Sequence, residues 1–331
     1  MTGTGPYANS SAQLGMTIEA VRGTPAATPV YWIPVKAPKI QPVLTQVTND
    51  SQIGSMTAVI DQIITARHDE LTFTCMLYVD TVMPLIRGLL GGVDTIVGTA
   101  SPYTHSIALL NNDPTNGNQP PSYTFFVADG YGLRTLAAGM VDELSFKFTA
   151  TGLVECTVKV QAMPYVFNSS VPASAFTTVE AAPSWACTAS LNSVTTMPIV
   201  DGTLAFKRAV KYPAALGALA PYRLFAGPLD TSGSSLSVIN AADTEQNLAL
   251  AGTAFPLSLT FSPPTSAGLS FKIQCSQVKA AQTHQEQGGD GMVITVMDIL
   301  PLPNSTDSTG SGSGGLSPVK VIGTTALATT Y

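Results

Sequence analysis

The chain has 331 residues, enough for one large domain or two ordinary ones, and long enough to close a core without disulfides or metals. Only 11% of its residues are Asp, Glu, Lys or Arg, against roughly a quarter in ordinary soluble domains. So little charge, with 45% hydrophobic residues, points to a surface hidden in an assembly. A net charge of −6, with no basic stretch denser than Lys207, Arg208 and Lys211, excludes a protein that grips duplex DNA through many phosphate contacts.

At the N-terminus, Met1 to Ser11 is small and polar, without the basic and apolar regions of a signal peptide, and Thr2 excludes the myristoylation motif. Asn49 to Arg67 mixes Ile53, Met56, Val59, Ile60, Ile63 and Ile64 with the turn formers Gly54 and Ser55. It reads as an extended arm or long hairpin reaching another chain, or as an ordinary intramolecular hairpin. Leu71 to Val79 is dense in β-formers. A helix follows: Asp80-Thr81 is placed to cap it, Pro84 to sit in its first turn, and Gly91-Gly92 to stop it. Leu85, Ile86, Leu89 and Leu90 form the stripe that would cover a sheet face.

Ser122 to Ala128 is strand-like. Met140 to Ala150 alternates Leu144, Phe146 and Phe148 with Glu143, Ser145 and Lys147. Leu153 to Met163 alternates Val154, Cys156, Val158 and Val160 with Glu155, Thr157, Lys159 and Gln161. Period-two alternation marks strands with one buried face, and Thr151-Gly152 between them suits a long hairpin. Asp142 falls on the opposite parity and is placed at the strand entrance. Pro164 to Met197 is rich in Ser, Ala, Thr and Pro, with Glu180 its one charge, and reads as a boundary. A short helix is expected at Ala214 to Leu219. Further strands are expected at Phe255 to Phe261, Leu269 to Cys275 and Gly291 to Leu300, with Asp-Gly turns at Asp129, Asp201 and Asp290. The longest charge-free stretch, Gln246 to Phe271, is broken by Gly252, Pro256, Pro263, Pro264 and Gly268, so it is no membrane helix. Asn304 to Gly315 is a flexible loop or linker. Beyond it, Val319 to Ile322 is a strand expected to dock on the chain's own sheet or on a neighbour. No short-period repeat is visible. The division expected is 1–165, a β domain with one helix; 166–197, linker-like; 198–303, a second β-rich part; and 304–331, linker and final strand.

The residue types that carry chemistry do not converge in the sequence. His68, His105 and His284 show no metal-ligand spacing, although His68 beside Asp69 and Glu70 invites a metal or general-base reading; a solvated turn or an interface polar cluster is the plainer one. Asp69-Glu70 and Asp142-Glu143 occupy adjacent strand positions and so point to opposite faces. The nucleophile elbow, the phosphate loop and the dinucleotide fingerprint are absent. Cys75, Cys156, Cys187 and Cys275 read as buried reduced thiols, Trp32 and Trp185 as core or interface anchors, and the sequons at Asn168 and Asn304 as chance matches. No enzyme, cofactor or metal is expected.

The order of motifs resembles tail tube proteins of siphovirus-type bacteriophages, especially those of actinobacteria. It runs through Glu19-Ala-Val-Arg-Gly-Thr-Pro25, Trp32-Ile-Pro-Val-Lys36, Gly54-Ser-Met56, Arg67-His-Asp-Glu70, Tyr78-Val-Asp80, His105 to Asn111, Gln119-Pro-Pro-Ser-Tyr-Thr124 and the hairpin Asp142 to Gln161. Looser matches follow at Pro221-Tyr222, Phe225-Ala-Gly227, Asn304-Ser-Thr-Asp307, Ser317-Pro318 and Tyr331. The resemblance implies an all-β tail-tube sandwich or half-barrel with one or two short helices. It implies hexameric rings in which each subunit adds about four strands to an inner barrel, stacked into a conduit for genome DNA. Twenty-four strands close a barrel of roughly 50 Å. The implied partners are further copies of the chain, a tape-measure protein, genomic DNA, and tail terminator and distal tail proteins. The implied place is the virion tail, assembled in the bacterial cytoplasm, with no membrane. On this reading Glu143, Lys147, Glu155 and Lys159 face a polar, net-acidic lumen, or else a neighbouring subunit. Ile53, Gly54, Ser55, Met56, Asp61 and Arg67 mark the inter-ring arm. The alternatives are a tail terminator, decoration or capsid protein, or a carbohydrate-binding jelly roll, which would show an exposed aromatic platform.

Overall fold

The computed structural model describes residues 11–331 apart from 52, 55, 196, 240–243, 288–291 and 309–314. The expectations at Met1 to Ser10, Ser55 and Asp290-Gly291 lie outside the described residues. In chain order the elements are β1 (Gln13–Ile18), β2 (Tyr31–Ile33), β3 (Val35–Asn49), β4 (Asp61–Met76), α1 (Val79–Leu90), β5 (Thr95–Val97), β6 (Tyr103–Ala108), β7 (Tyr123–Asp129), β8 (Gly132–Thr149), β9 (Glu155–Ala162) and β10 (Val166–Asn168). Then come β11 (Cys187–Leu191), β12 (Val194–Thr195), β13 (Ile199–Lys207), β14 (Val210–Lys211), β15 (Phe225–Ala226), β16 (Ser234–Ile239), α2 (Thr244–Ala251), β17 (Phe255–Phe261), β18 (Ser270–Gln287), β19 (Val293–Pro301) and β20 (Lys320–Thr325).

The protein is all-β, and every strand pair is antiparallel. One layer is a continuous run in the order β3-β4-β9-β8-β13-β16-β19-β18. This run is eight strands wide, twice the four strands expected for one subunit. The other layer has two parts: β2-β1-β7-β8-β10 and β11-β17-β18-β20-β6-β5. The long strands β8 and β18 serve both layers, each bending at a bulge where two of its residues oppose one on β7 or β17. Alternation decides the packing. Phe73, Val158, Phe146, Leu204, Leu236 and Met297 point inward from consecutive strands into one core that joins both halves of the chain. The expected hairpin of Glu143 and Glu155 is the β8–β9 pair, and the expected C-terminal strand is β20, seated between β18 and β6 of the same chain.

Helix α1 is buried on nearly every side and packs between β8, β20 and β6. Its start differs from expectation: Tyr78 is the N-cap, with no side-chain cap, and Asp80 lies in the first turn. Pro84 is therefore inside the helix, and its own carbonyl accepts the Tyr123 hydroxyl at 2.8 Å. Gly91 ends the helix as expected, at φ 80°, a left-handed position that glycine adopts without strain. No helix forms at Ala214 to Leu219, because Pro213, Gly217 and Pro221 interrupt every turn there; the second helix is α2. Asp201-Gly202 is not a turn but mid-strand in β13, where Gly202 admits the Phe148 ring and Leu236 side chain. Asp142 is not at the entrance of β8 but at an interior bulge, where its carboxylate accepts the Val210 amide at 2.8 Å.

Arg208 ties the second half to α1. It is 5% exposed, and its guanidinium donates to Leu89 O at 3.1 Å, Leu90 O at 3.4 Å and Gly227 O at 2.8 Å. Burial pulls its pKa down to about 10, which leaves it charged at neutral pH against the negative end of the helix. Arg208→Met keeps the stem but takes the donor from Leu89 O and Gly227 O and leaves Leu90 O with the Leu110 amide alone. The expected loss is about 2–4 kcal/mol, read as a Tm lowered by several degrees in calorimetry of the unassembled subunit. A change under about 1 kcal/mol would show that the cation does not hold the helix end.

Candidate assembly surfaces

The outer face of the eight-stranded layer is polar and charge-balanced. Lys36, Lys39, Lys147, Lys159, Lys207 and Lys279 share it with Glu70, Glu143, Glu155, Asp201, Glu286 and Asp298, six against six. Glu143, Lys147, Glu155 and Lys159, singled out by alternation, lie together on it. The face carries no acidic surplus, and three of its six carboxylates are answered across strands. Lys36 pairs with Glu155 at 2.9 Å, Lys159 with Glu70 at 2.9 Å, and Lys207 with Glu143 at 3.4 Å. Burial would raise the Glu70 carboxyl, but hydrogen bonds from Lys159 and Gln161 outweigh it, so its pKa is lowered. The partners Lys36, Glu70 and Lys207 are distant in sequence, and nothing in the local pattern identifies them.

The second surface is the β3–β4 hairpin. Its root is fixed: Arg67 donates its amide to Leu219 O at 2.8 Å, pairs with the buried Asp69 at 3.4 Å and lies over the Tyr165 ring. Beyond Arg67 the hairpin leaves the core. Val47, Ile53, Met56, Val59, Ile63 and Ile64 are all exposed, Met56 fully so at 104%. Asp50 and Asp61 are the only charged residues from Gln46 to Ala66. Gly54, at φ 80°, takes part in the turn at its tip. A two-stranded ribbon with apolar residues on both faces does not persist in water by its own packing.

Other residues are committed to the fold. His68 is not solvated: it is 5% exposed on β4 and stacks on Tyr212 at 3.8 Å between ring centroids. Burial pulls its pKa below the ordinary value, against the opposite pull of Asp69 and Glu70. Trp32 is in the core, edge-on to Phe176, whereas Trp185 is 70% exposed. All four cysteines are free thiols; Cys75, Cys156 and Cys275 are buried, and burial pushes Cys187 up to about 12. His105 bridges Asp94 at 2.8 Å and Leu327 O at 3.0 Å, holding the segment after β20. Arg208 lines a 580 Å³ hollow and Asp80 one of 510 Å³, but the first is spent on carbonyls and the second accepts the Thr177 hydroxyl. Among the described residues no three His, Cys, Asp or Glu side chains are grouped to hold a metal, and no helix is long and apolar enough to cross a membrane.

Sequence reasoning missed two buried carboxylates. Glu19 accepts from Gly23 N, Ser122 Oγ, Thr124 Oγ1 and Ala138 N at 2.6–3.0 Å. Asp307 accepts from Gln274 Nε2, Ser276 N, Ser276 Oγ and Asn304 Nδ2 at 2.6–3.1 Å. Each belongs to a motif of the resemblance, Glu19-Ala-Val-Arg-Gly-Thr-Pro25 and Asn304-Ser-Thr-Asp307, but nothing in either pattern says that its acid is buried.

Compared with known proteins, the chain matches one family model, described as phage tail tube protein, over residues 9–310. No curated protein matches it.

Proposed function

From the premise that the chain belongs to the phage tail tube protein family, and is thus a structural subunit that self-assembles in the virion tail, we propose how its surfaces build the tube. Four-stranded units, six to a ring, form an inner barrel whose wall is the polar face carrying Glu143, Lys147, Glu155 and Lys159. Rings stack, and the β3–β4 arm with Ile53, Gly54, Met56 and Asp61 lies on the next ring, Arg67 fixing its root. The tube surrounds the tape-measure protein and then passes genomic DNA, with terminator and distal proteins at its ends. It does this without catalysis. The observation that carries this reading is the eight-stranded layer, whose six central strands have one face in the core and whose other face is polar and balanced. Such a wall neither holds phosphate at every ring nor needs basic residues. Electron microscopy of the purified protein tests it: rings and stacked tubes are expected, and a monomer persisting at high concentration would overturn it.

The lumen assignment has its own test. Changing Glu143 and Glu155 to Lys breaks the ion pairs with Lys207 and Lys36, exposed pairs each worth about 0–1 kcal/mol. Tubes should still form. Each substitution moves the wall by two charges, four per chain, toward attracting phosphate. DNA ejection should then slow, and added salt should relieve the slowing by screening. Ejection at the normal rate in low salt would place this face elsewhere.

A further inference from the structure

The two halves of the chain repeat one topology. In the first half β3, β4, α1, β7, β8 and β9 follow in order, and the sheet reads β3-β4-β9-β8. In the second, β13, β16, α2, β17, β18 and β19 follow, and the sheet reads β13-β16-β19-β18. The correspondence continues outside this layer. β1 pairs with β2 and β7 as β11 pairs with β12 and β17. β10 joins the N-terminal half of β8 as β20 joins that of β18. β8 and β18 are both 18 residues long, and β7 and β17 both seven. Helix α1 packs on β8 and α2 on β18, and each is followed by a left-handed glycine, Gly91 and Gly252. Each long strand bends at an equivalent bulge, and each bulge gives an amide to a buried carboxylate: Ala138 N to Glu19 at 2.7 Å, Ser276 N to Asp307 at 2.6 Å. The β5–β6 and β14–β15 hairpins are what one half has and the other lacks.

The two repeats are joined by β8 and β13, which pair from Glu143↔Lys207 to Thr149↔Asp201. The counterpart of β8 is β18, and the counterpart of β13 is β3. Among the described residues, β3 pairs only with β4, and β18 beyond Val278 pairs only with β19. Both counterparts of the internal joint therefore have open edges, at opposite ends of the layer. Pro38 and Pro42 on β3 lack amide hydrogens, so a strand added at this edge receives no hydrogen bond from those two positions and must pair through the others.

We infer that each chain carries two tandem tube units, and that the edge of β3 in one copy pairs with residues 279–287 of β18 in the next, repeating the β8–β13 joint between chains. The occupant of each edge is a second copy of this chain. Head-to-tail pairing closes into a ring when the rotation from one copy to the next is a whole fraction of a turn, here one third. The inference rests on the proposed ring of six four-stranded units: with two units per chain, three chains complete it. The ring has threefold symmetry in chains and near-sixfold symmetry in units.

Native mass spectrometry of rings, and cryo-electron microscopy of tubes formed by the full chain, test the count. Three chains of 34.3 kDa per ring are expected, with eight strands of wall in each. A zero-length carbodiimide should couple Lys36 or Lys39 on β3 to Glu286 on β18 of the neighbour, giving a covalent ladder that stops at three chains. Tubes with six chains per ring would overturn the tandem-unit inference and leave the tube reading standing. Coupling of Lys36 and Lys39 only to carboxylates other than Glu286 of a neighbour would overturn the head-to-tail pairing. Failure to form rings or tubes at all would overturn both readings together.

Discussion

Removing the tip of the β3–β4 arm is expected to abolish polymerisation and leave a folded subunit. The register supplies the junction: Gln46 lies opposite Ile64, so an Asn-Gly turn can replace residues 47–63 as a two-residue hairpin. Nothing in the core is lost. On these two strands the buried apolar cluster begins at Leu71, with only Val35 and Ile40 packed against it from β3. What is lost is Val47, Ile53, Met56, Val59 and Ile63, each at least 49% exposed in the isolated chain. Residues of this size are worth roughly 1.5–3 kcal/mol each when fully buried. Even partial burial of five, repeated by every chain of a ring, is a large share of any stacking energy. Sedimentation and electron microscopy should find rings or free subunits with an unchanged Tm and no tubes. Normal tubes from the shortened chain would show that the arm is not the inter-ring contact.

The arm was legible because its apolar residues do not alternate toward one buried face. The polar outer face was legible at β8 and β9 for the opposite reason: Phe146 against Lys147, and Val158 against Lys159, alternate cleanly over one core. The rest of the eight-stranded layer was not. Val35–Asn49 carries Pro38 and Pro42, which argue against a strand until its outer edge is known to be open. The far half of β18 reads Lys-Ala-Ala-Gln-Thr-His-Gln-Glu-Gln, with almost no apolar period, because both its faces lie outside the core. Helix α2 has Leu248 and Leu250 but no continuous stripe, while Ala214 to Leu219 has helix formers enclosed by prolines. The tandem repeat is invisible as a period because equivalent positions share burial and not identity. Leu136 and Cys275 stand at the same place beside their bulges and are both fully buried, yet have no chemistry in common.

The second large effect is expected at the two bulges. Glu19→Ala should destabilise the subunit by about 3–5 kcal/mol. Four donors converge on that carboxylate, and a buried donor left unsatisfied costs about 1–3 kcal/mol, although the four do not add in full. One of them, the Ala138 amide, belongs to a residue at φ 52°, which no residue with a side chain adopts freely. Glu19 therefore holds β8 in the bend that lets it run from one layer into the other. Glu19→Gln would not restore it, since the new amide group presents hydrogens to existing donors. Asp307→Ala should act the same way through Ser276 on β18, with a loss of similar size, because it too abandons four donors. The two sites share one core, so each variant should shift a single cooperative transition in denaturant rather than split it. Hydrogen exchange separates them. Protection should fall first at Ala138 in the Glu19 variant and first at Ser276 in the Asp307 variant. A loss under about 1 kcal/mol in either, with protection at its bulge unchanged, would mean that packing alone bends that strand and that the carboxylate is incidental.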